Sequence, residues 1–167
     1  MTPPIPLGLP DSPAGRRWAV LVVDDHSVVR EGLARLIACA RLPLRSIDTA
    51  CTGAEALRAA ALCRPDIVVL DVDLAGEDGL ALIPQLAPRG GVLVLTSHGD
   101  PATRARAAAL GARGFIEKHQ PAAVLLGLIA EIGRFLQIGE EEAPAVRGTS
   151  SLPGLAGASE AHAAAQL

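Results

Sequence analysis

The stretch Asp66-Ile67-Val68-Val69-Leu70-Asp71, followed by a loop holding Gly76 and Gly79, constrains the fold more than any other part of the chain. Four apolar residues, most of them β-branched, run directly into a carboxylate. Bounded by Arg64-Pro65 before and glycines after, the run reads as a strand buried on both faces of a parallel sheet. In an open α/β sheet, ligands gather beyond the carboxyl ends of the strands, which is where Asp71 stands. Taken alone, the same residue suits a capped turn equally well.

The rest of the chain supplies neighbours for that strand. Trp18 to Val23 is predicted as the first strand and stops abruptly at Asp24-Asp25-His26. From Ser27 onward Val28, Val29, Leu33, Leu36 and Ile37 recur at helical spacing, with Glu31 in the first turns. Leu44 to Ala50 is a shorter, weaker strand. Thr52 then caps a helix whose Ala56, Leu57 and Ala60 face inward, with Glu55 at the capping-box position. After the central strand, Leu80 to Leu86 makes a helix of one or two turns, shortened or bent by Pro84. Gly91 to Leu95 is a fourth strand, running into Thr96-Ser97-His98-Gly99. Asp100 caps a helix from Pro101 to Leu110, which Gly111 ends. Gly114 to Glu117 is a fifth strand that meets Lys118. Pro121 opens a last helix with a broad apolar stripe of Val124, Leu125, Leu128, Ile129, Ile132 and Phe135. Five strands alternating with five helices predict a doubly wound α/β fold, with right-handed crossovers and helices on both faces of a parallel sheet.

Composition divides the chain. Residues 1–17 carry five prolines without periodicity and read as a disordered N-terminal arm, with no signal-peptide pattern. The folded body is expected over 18–137. Residues 138–167, beginning with Glu140-Glu141-Glu142 and continuing in Ala, Gly, Ser and Pro, read as a flexible acidic tail. The body holds 12 basic and 13 acidic residues, so it offers no basic footprint for DNA. No apolar run is long enough to span a membrane. Cys39, Cys51 and Cys63 lack metal or disulfide spacing, which suits reduced thiols in the cytoplasm, and they are expected as small core residues. Of the 15 basic residues, 14 are Arg and only Lys118 is Lys. A compact ammonium on a flexible stem is the property Arg does not supply.

Several strand ends carry chemistry together: Asp24-Asp25, Asp71, Thr96 and Lys118. In a parallel sheet these ends share one edge. Carboxylates converging there repel one another unless a cation sits among them. A hard divalent ion, Mg²⁺, resolves the repulsion and leaves coordination positions for a phosphate. A carboxylate beside a metal, an ammonium and a hydroxyl has what an aspartyl-phosphate nucleophile requires. His26, His98 and His119 each adjoin a site residue, but alternating strand residues point away from one another, which argues against a zinc centre.

These residues resemble the receiver domain of bacterial two-component response regulators. Leu21-Val22-Val23-Asp24-Asp25-His26 with Val29-Arg30-Glu31-Gly32-Leu33 is similar to the opening of receivers in the LuxR/NarL-type branch. Asp71 matches the phosphoacceptor, Asp78-Gly79 the loop end, Thr96-Ser97 the switch hydroxyl and its small neighbour, Phe115 the switch aromatic and Lys118 the family's lysine. The resemblance spans about Trp18 to Gln137. It implies a flavodoxin-like, five-stranded sheet in the order 2-1-3-4-5. It also implies Mg²⁺ held by Asp25, Asp71 and the backbone carbonyl of Asp73, with Asp24 acting partly through water.

Departures from the family pattern shape the remaining expectations. Leu74-Ala75 stands where the family usually has Met-Pro, which predicts a more mobile loop. Lys118-His119 replaces the common Lys-Pro pair, and no helix-turn-helix follows the body. The chain therefore reads as a single-domain response regulator taking its phosphoryl group from a histidine kinase or phosphotransfer domain. Its signal would pass to a protein partner or through a homodimer formed on phosphorylation. The docking surface is expected on the first and last helices, or on the fourth helix and fifth strand. Thr96 and Phe115 are the expected switch residues, and Asp73 and His98 are expected to tune the lifetime of the phosphoryl group. Two competing functions are a haloacid-dehalogenase-type phosphatase using Asp71 and Asp73, and a phosphorylation-independent adaptor on the same fold.

Overall fold

The computed structural model describes residues 15–141; nearly all of the expected arm and most of the expected tail lie outside the described residues. One five-stranded parallel sheet runs in the order β2-β1-β3-β4-β5. Its strands are β1 (Trp18–Val23), β2 (Leu44–Ala50), β3 (Ile67–Asp71), β4 (Gly91–Thr96) and β5 (Gly114–Glu117). The helices are α1 (Ser27–Cys39), α2 (Gly53–Cys63), a short α3 (Ile83–Leu86) entered through a 3₁₀ turn at Gly79–Leu82, α4 (Pro101–Ala109) and α5 (Ala122–Glu141). The sheet order and the five helices are those the sequence predicted.

Every residue of β1, β3 and β4 is buried, because helices cover both faces. Alternate strand residues feed two cores. Leu21, Val68, Leu70, Val92 and Val94 pack with Ala56 and Ala60 of α2, Ile83 and Leu86 of α3 and Ala107 of α4. Val20, Val22, Ile67, Val69 and Leu93 pack with Ile37 of α1 and with Leu125, Ile129 and Ile132 of α5. Trp18 closes this second layer, lying so near Gly133 that a Cβ there would come within 2.4 Å of the indole.

Local signals set the helix ends. Thr52 Oγ1 accepts the Glu55 N–H at 3.2 Å, while Glu55 reaches back to the N–H of Cys51 at 2.9 Å, one residue earlier than a standard capping box. Arg64 takes a left-handed conformation (φ 46°) and turns the chain out of α2 in front of Pro65. Asp100 accepts from the N–H groups of Ala102 and Thr103 at the start of α4.

Three expectations of burial fail. The cysteines are not core residues: Cys39 and Cys63 are exposed and Cys51 is half-buried. Cys39 and Cys63 are the last residues of α1 and α2. Val28 is 84 % exposed, since α1 starts past the sheet edge and only its later turns meet the core. In α5 the inward stripe is narrower than predicted, leaving Val124 and Phe135 exposed. That helix also continues to Glu141, three residues past the compositional break at Ile138.

Candidate functional site

Strand pairing builds the centre of the site. β1 and β3 are parallel neighbours with Val23 opposite Leu70, so the next residues, Asp24 and Asp71, emerge side by side. Asp24 is fully buried and Asp71 is 4 % exposed. Lys118 follows β5, two strands away, and its backbone N–H donates to Thr96 O at 2.7 Å. Its ammonium crosses the end of β4 and donates to Asp71 Oδ2 at 2.7 Å and Asp24 Oδ2 at 2.8 Å. Burial pushes the Asp71 carboxyl above its ordinary value; the Lys118 hydrogen bond and charge pull it down, and the neighbouring Asp24 pushes it up again. For Lys118, burial works against the charge, but hydrogen bonds to Asp24 and Asp71 outweigh it and the net shift is upward. The one lysine in the sequence thus stands where a point charge on a flexible stem bridges two buried acids.

Asp25 and His26 form the outer side. The His26 N–H donates to Asp24 Oδ1 at 2.8 Å, and the Arg30 guanidinium donates to Asp24 O at 2.7 Å. The turn carrying the acids is therefore fastened at both ends, a role for Arg30 that sequence reasoning did not identify. Asp25 Oδ1 is buried without any hydrogen-bond partner, although His26 Nδ1 stands 2.9 Å away. One ligand atom each from Asp24, Asp25, His26 and Asp71 lie within 4.8 Å of one another. The expectation that all three histidines point away is corrected for His26. Residues 24–26 follow the strand and turn into α1, where His26 is the N-cap, so strand alternation does not apply. His98 and His119 stay outside this cluster among the described residues, and His119 instead lies 3.3 Å from Glu117. Crowded acceptors with one buried oxygen left without a donor fit a hard divalent cation such as Mg²⁺, which the carboxylates of Asp24, Asp25 and Asp71 would hold.

The loop after β3 is a small ribbon. Asp73 pairs antiparallel with Asp78, and Leu74 pairs with Glu77. Ala75 (φ 55°) and Gly76 (φ 86°) make a two-residue turn with positive φ at both positions, the pattern of a type I′ hairpin. Proline, fixed at negative φ, could not occupy position 75 in this turn. With Ala75 in place of the family's proline, the turn takes positive φ at both central positions and the loop closes as a paired hairpin. Asp73 Oδ1 accepts the Gly76 N–H at 3.0 Å, while the Asp73 N–H makes a long 3.4 Å contact to Asp71 Oδ1. Gly79 packs so close to β3 that a Cβ would fall 2.0 Å from Asp71 O, so the loop end requires glycine.

The expected switch residues adjoin the site without touching Asp71. Thr96 is buried, and its hydroxyl donates to His98 O at 3.0 Å and accepts from His98 N at 3.2 Å. The Phe115 ring, half-buried beside the first core, lies under the Arg104 guanidinium at 4.5 Å.

Comparison with known proteins agrees with this geometry. The family model for the response regulator receiver domain matches residues 20–130. The methanol utilization control regulatory protein MoxX of Paracoccus denitrificans is 35% identical over 128 residues, covering 71% of this chain and 55% of MoxX. The transcriptional regulatory protein FixJ of Azorhizobium caulinodans is 35% identical over 127 residues, covering 74% and 59%. The chain thus spans little more than half the length of these relatives. A LuxR-family response regulator from Aurantimonas sp. SI85-9A1 superposes with a TM-score of 0.66 at 30% identity, covering 75% of this chain and 98% of that one. A Burkholderia pseudomallei response regulator, solved with a phosphorylated aspartic acid, a calcium ion and citrate, gives 0.63 at 27% identity, covering 74% and 72%.

Proposed function

The chain belongs to the response regulator receiver domain family, and on that premise we propose that Asp71 accepts a phosphoryl group from a histidine kinase or phosphotransfer protein. The observation that supports this most is the Lys118 ammonium bridging Asp71 and Asp24 across 47 and 94 residues of sequence. No packing need requires a buried carboxylate pair of this kind, and a buried ion pair is weak evidence for stability. The Lys118 hydrogen bond and charge oppose the upward push that burial gives the Asp71 carboxyl.

In the transfer, the P–N bond of the donor phosphohistidine breaks as an O–P bond to Asp71 forms, and the donor imidazole leaves with a proton. The Mg²⁺, when bound, supplies charge neutralisation for the phosphoryl oxygens. Lys118 can exchange its bond to Asp71 for one to a phosphoryl oxygen without leaving Asp24. The Thr96 hydroxyl must give up His98 to turn inward, and Phe115 must leave Arg104 to follow it. These exchanges are contacts that differ between two states, which a switch requires. Asp73 and His98, at the pocket mouth, then govern approach of the hydrolytic water.

The signal passes to a protein partner, or through pairing of two copies, in the cytoplasm. No duplex DNA binding is expected of a near-neutral body. Among the described residues no helix is long and apolar enough to cross a membrane. A phosphatase reading finds less support, because the Asp73 carboxylate is engaged by Gly76 within its own hairpin. Incubation with acetyl phosphate and Mg²⁺ tests the proposal. Mass analysis should show one added phosphoryl group in the wild type and none in Asp71→Asn; a full shift in the variant sinks the assignment.

A further inference from the structure

We propose that the cleft at the edge of the sheet opposite Asp71 binds a small organic phosphate. Its dianionic head would lie among Arg17, Arg41 and Arg134, and its apolar body against Leu42, Leu44 and Ala130.

The cleft has a volume of about 730 Å³, within the range of small-molecule sites. Three stretches distant in sequence wall it: the entry to β1, the entry to β2 and one face of α5. Hydrogen bonds tie these walls together. The Trp18 N–H donates to Pro43 O at 2.7 Å, and Gln137 Nε2 donates to Arg16 O at 3.0 Å. The hollow is therefore formed before any ligand enters it.

Arg17, Arg41 and Arg134 are exposed and form no side-chain hydrogen bond or ion pair with another described residue. Arg16 and Arg45, at the same edge, are instead drawn to Asp66 at 2.6 and 3.8 Å. No acidic residue lines the cleft. Three guanidinium groups around one hollow repel one another, and their planar forks match the oxygens of a phosphate. A single carboxylate would leave two of the three charges uncompensated, whereas a phosphate dianion leaves one. Half-buried Leu42, Leu44 and Ala130 give the rest of the wall an apolar surface, which a bare inorganic anion would not cover.

A second observation points the same way. Among the described residues two buried side-chain polar atoms lack a hydrogen-bond partner: Asp25 Oδ1 beside Asp71, and Trp18 Nε1. The Trp18 indole lines the arginine cleft. The molecule thus has an unserved acceptor at its acidic edge and an unserved donor at its arginine edge. The first fits a cation and the second an oxyanion. The cleft needs neither Mg²⁺ nor Asp71, so it stands apart from the phosphorylation reading.

The test titrates the full, isotope-labelled chain with hexyl phosphate, hexanoate and inorganic phosphate, without Mg²⁺ and at constant ionic strength. The chain has one Trp, so the indole N–H gives a single NMR signal to follow. Hexyl phosphate should shift that signal saturably and bind about tenfold tighter than either of the other probes. Arg41→Gln and Arg134→Gln should each weaken binding about fivefold. Arg58→Gln on α2 removes the same charge elsewhere and should change it by less than about twofold. No saturable shift in the wild type overturns the proposal, as does an equal loss in Arg58→Gln. Equal binding of hexanoate removes the phosphate head, and equal binding of inorganic phosphate removes the apolar body. Either result overturns the ligand class named here.

Discussion

Strand β3 is flanked by two buried aspartates in opposite surroundings. Asp66, just before it, is 6 % exposed, and Asp71, at its end, is 4 % exposed. Asp66 accepts from the Ala19 N–H at 2.8 Å and from the Arg16 guanidinium at 2.6 Å, with Arg45 at 3.8 Å. Both of its oxygens are served, and the carboxylate ties the entry of β1 to that of β3. Asp71 has one oxygen on Lys118 and the other on a 3.4 Å contact, with Asp24 close by. Burial alone does not distinguish a structural carboxylate from a reactive one. What separates the two ends is whether the carboxylate's acceptor oxygens are already satisfied by donors.

The largest effect should come from exchanging the two ends. Asp71→Asn should abolish phosphorylation by acetyl phosphate and leave stability equal or raised, since it removes a buried charge. Asp66→Ala should keep phosphorylation but cost about 2 kcal/mol in urea denaturation, by orphaning the Ala19 N–H and removing the Arg16–Asp66 ion pair. If the folded Asp66 variant loses phosphorylation, the division between the two ends fails.

Lys118→Ala should sharpen the contrast by making the reactive end a pair of unpaired acids. A loss of about 2–3 kcal/mol near neutral pH is expected, because two buried carboxylates keep no counter-charge. The sign with pH follows from the shifts. Asp71 already titrates above its ordinary 3.8 in the folded protein and should rise further, so the folded variant takes up a proton first and regains stability as pH falls. In the wild type the Lys118 contribution is present below the ordinary lysine value of 10.5 and is lost as pH climbs through the raised folded value. Denaturation midpoints at about pH 5 and about pH 8 check the variant; equal stability at both would remove the electrostatic account.

A smaller, several-fold effect is expected around the reactive end. Thr96→Ala should leave Asp71 phosphorylatable but weaken the conformational response, read as partner binding or self-association. Changes at Asp73 or His98 should alter mainly the rate at which phospho-protein decays. Wild-type decay in both, or wild-type signalling by Thr96→Ala, would contradict these roles.

Much of this was legible because strand ends are fixed by topology. Once Ile67–Leu70 is a buried parallel strand, Asp24, Asp71, Thr96 and Lys118 must meet at one edge, and they do. His26 was misread because the alternation rule was carried three residues past Val23, the end of β1, into a turn. The cysteines were misread because small apolar character does not say which helix face or loop a residue will occupy. The Ala75-Gly76 hairpin was hidden because its cause is an absence: no proline forbids positive φ at position 75.

The smallest prediction concerns that hairpin. Ala75→Gly should stabilise the protein by about 1 kcal/mol or less by relieving a left-handed non-glycine residue, and Ala75→Pro should destabilise it. Thermal midpoints distinguish these outcomes; a stabilising proline would mean that the turn is not held as described.

The contact between Trp18 and Gly133 has an optical consequence. The chain has one Trp and no Tyr, so nearly all of its near-ultraviolet absorption and emission comes from one indole. That ring is 4% exposed, its Nε1 has no acceptor, and it sits at the strand edge remote from Asp71. Emission should be blue-shifted in the native protein and move to longer wavelength when α5 detaches from the sheet. The same ring is too far from the acidic cluster to sense its occupancy. Intrinsic fluorescence will therefore follow unfolding faithfully, while ion binding at the other edge has to be followed by a signal from the metal itself.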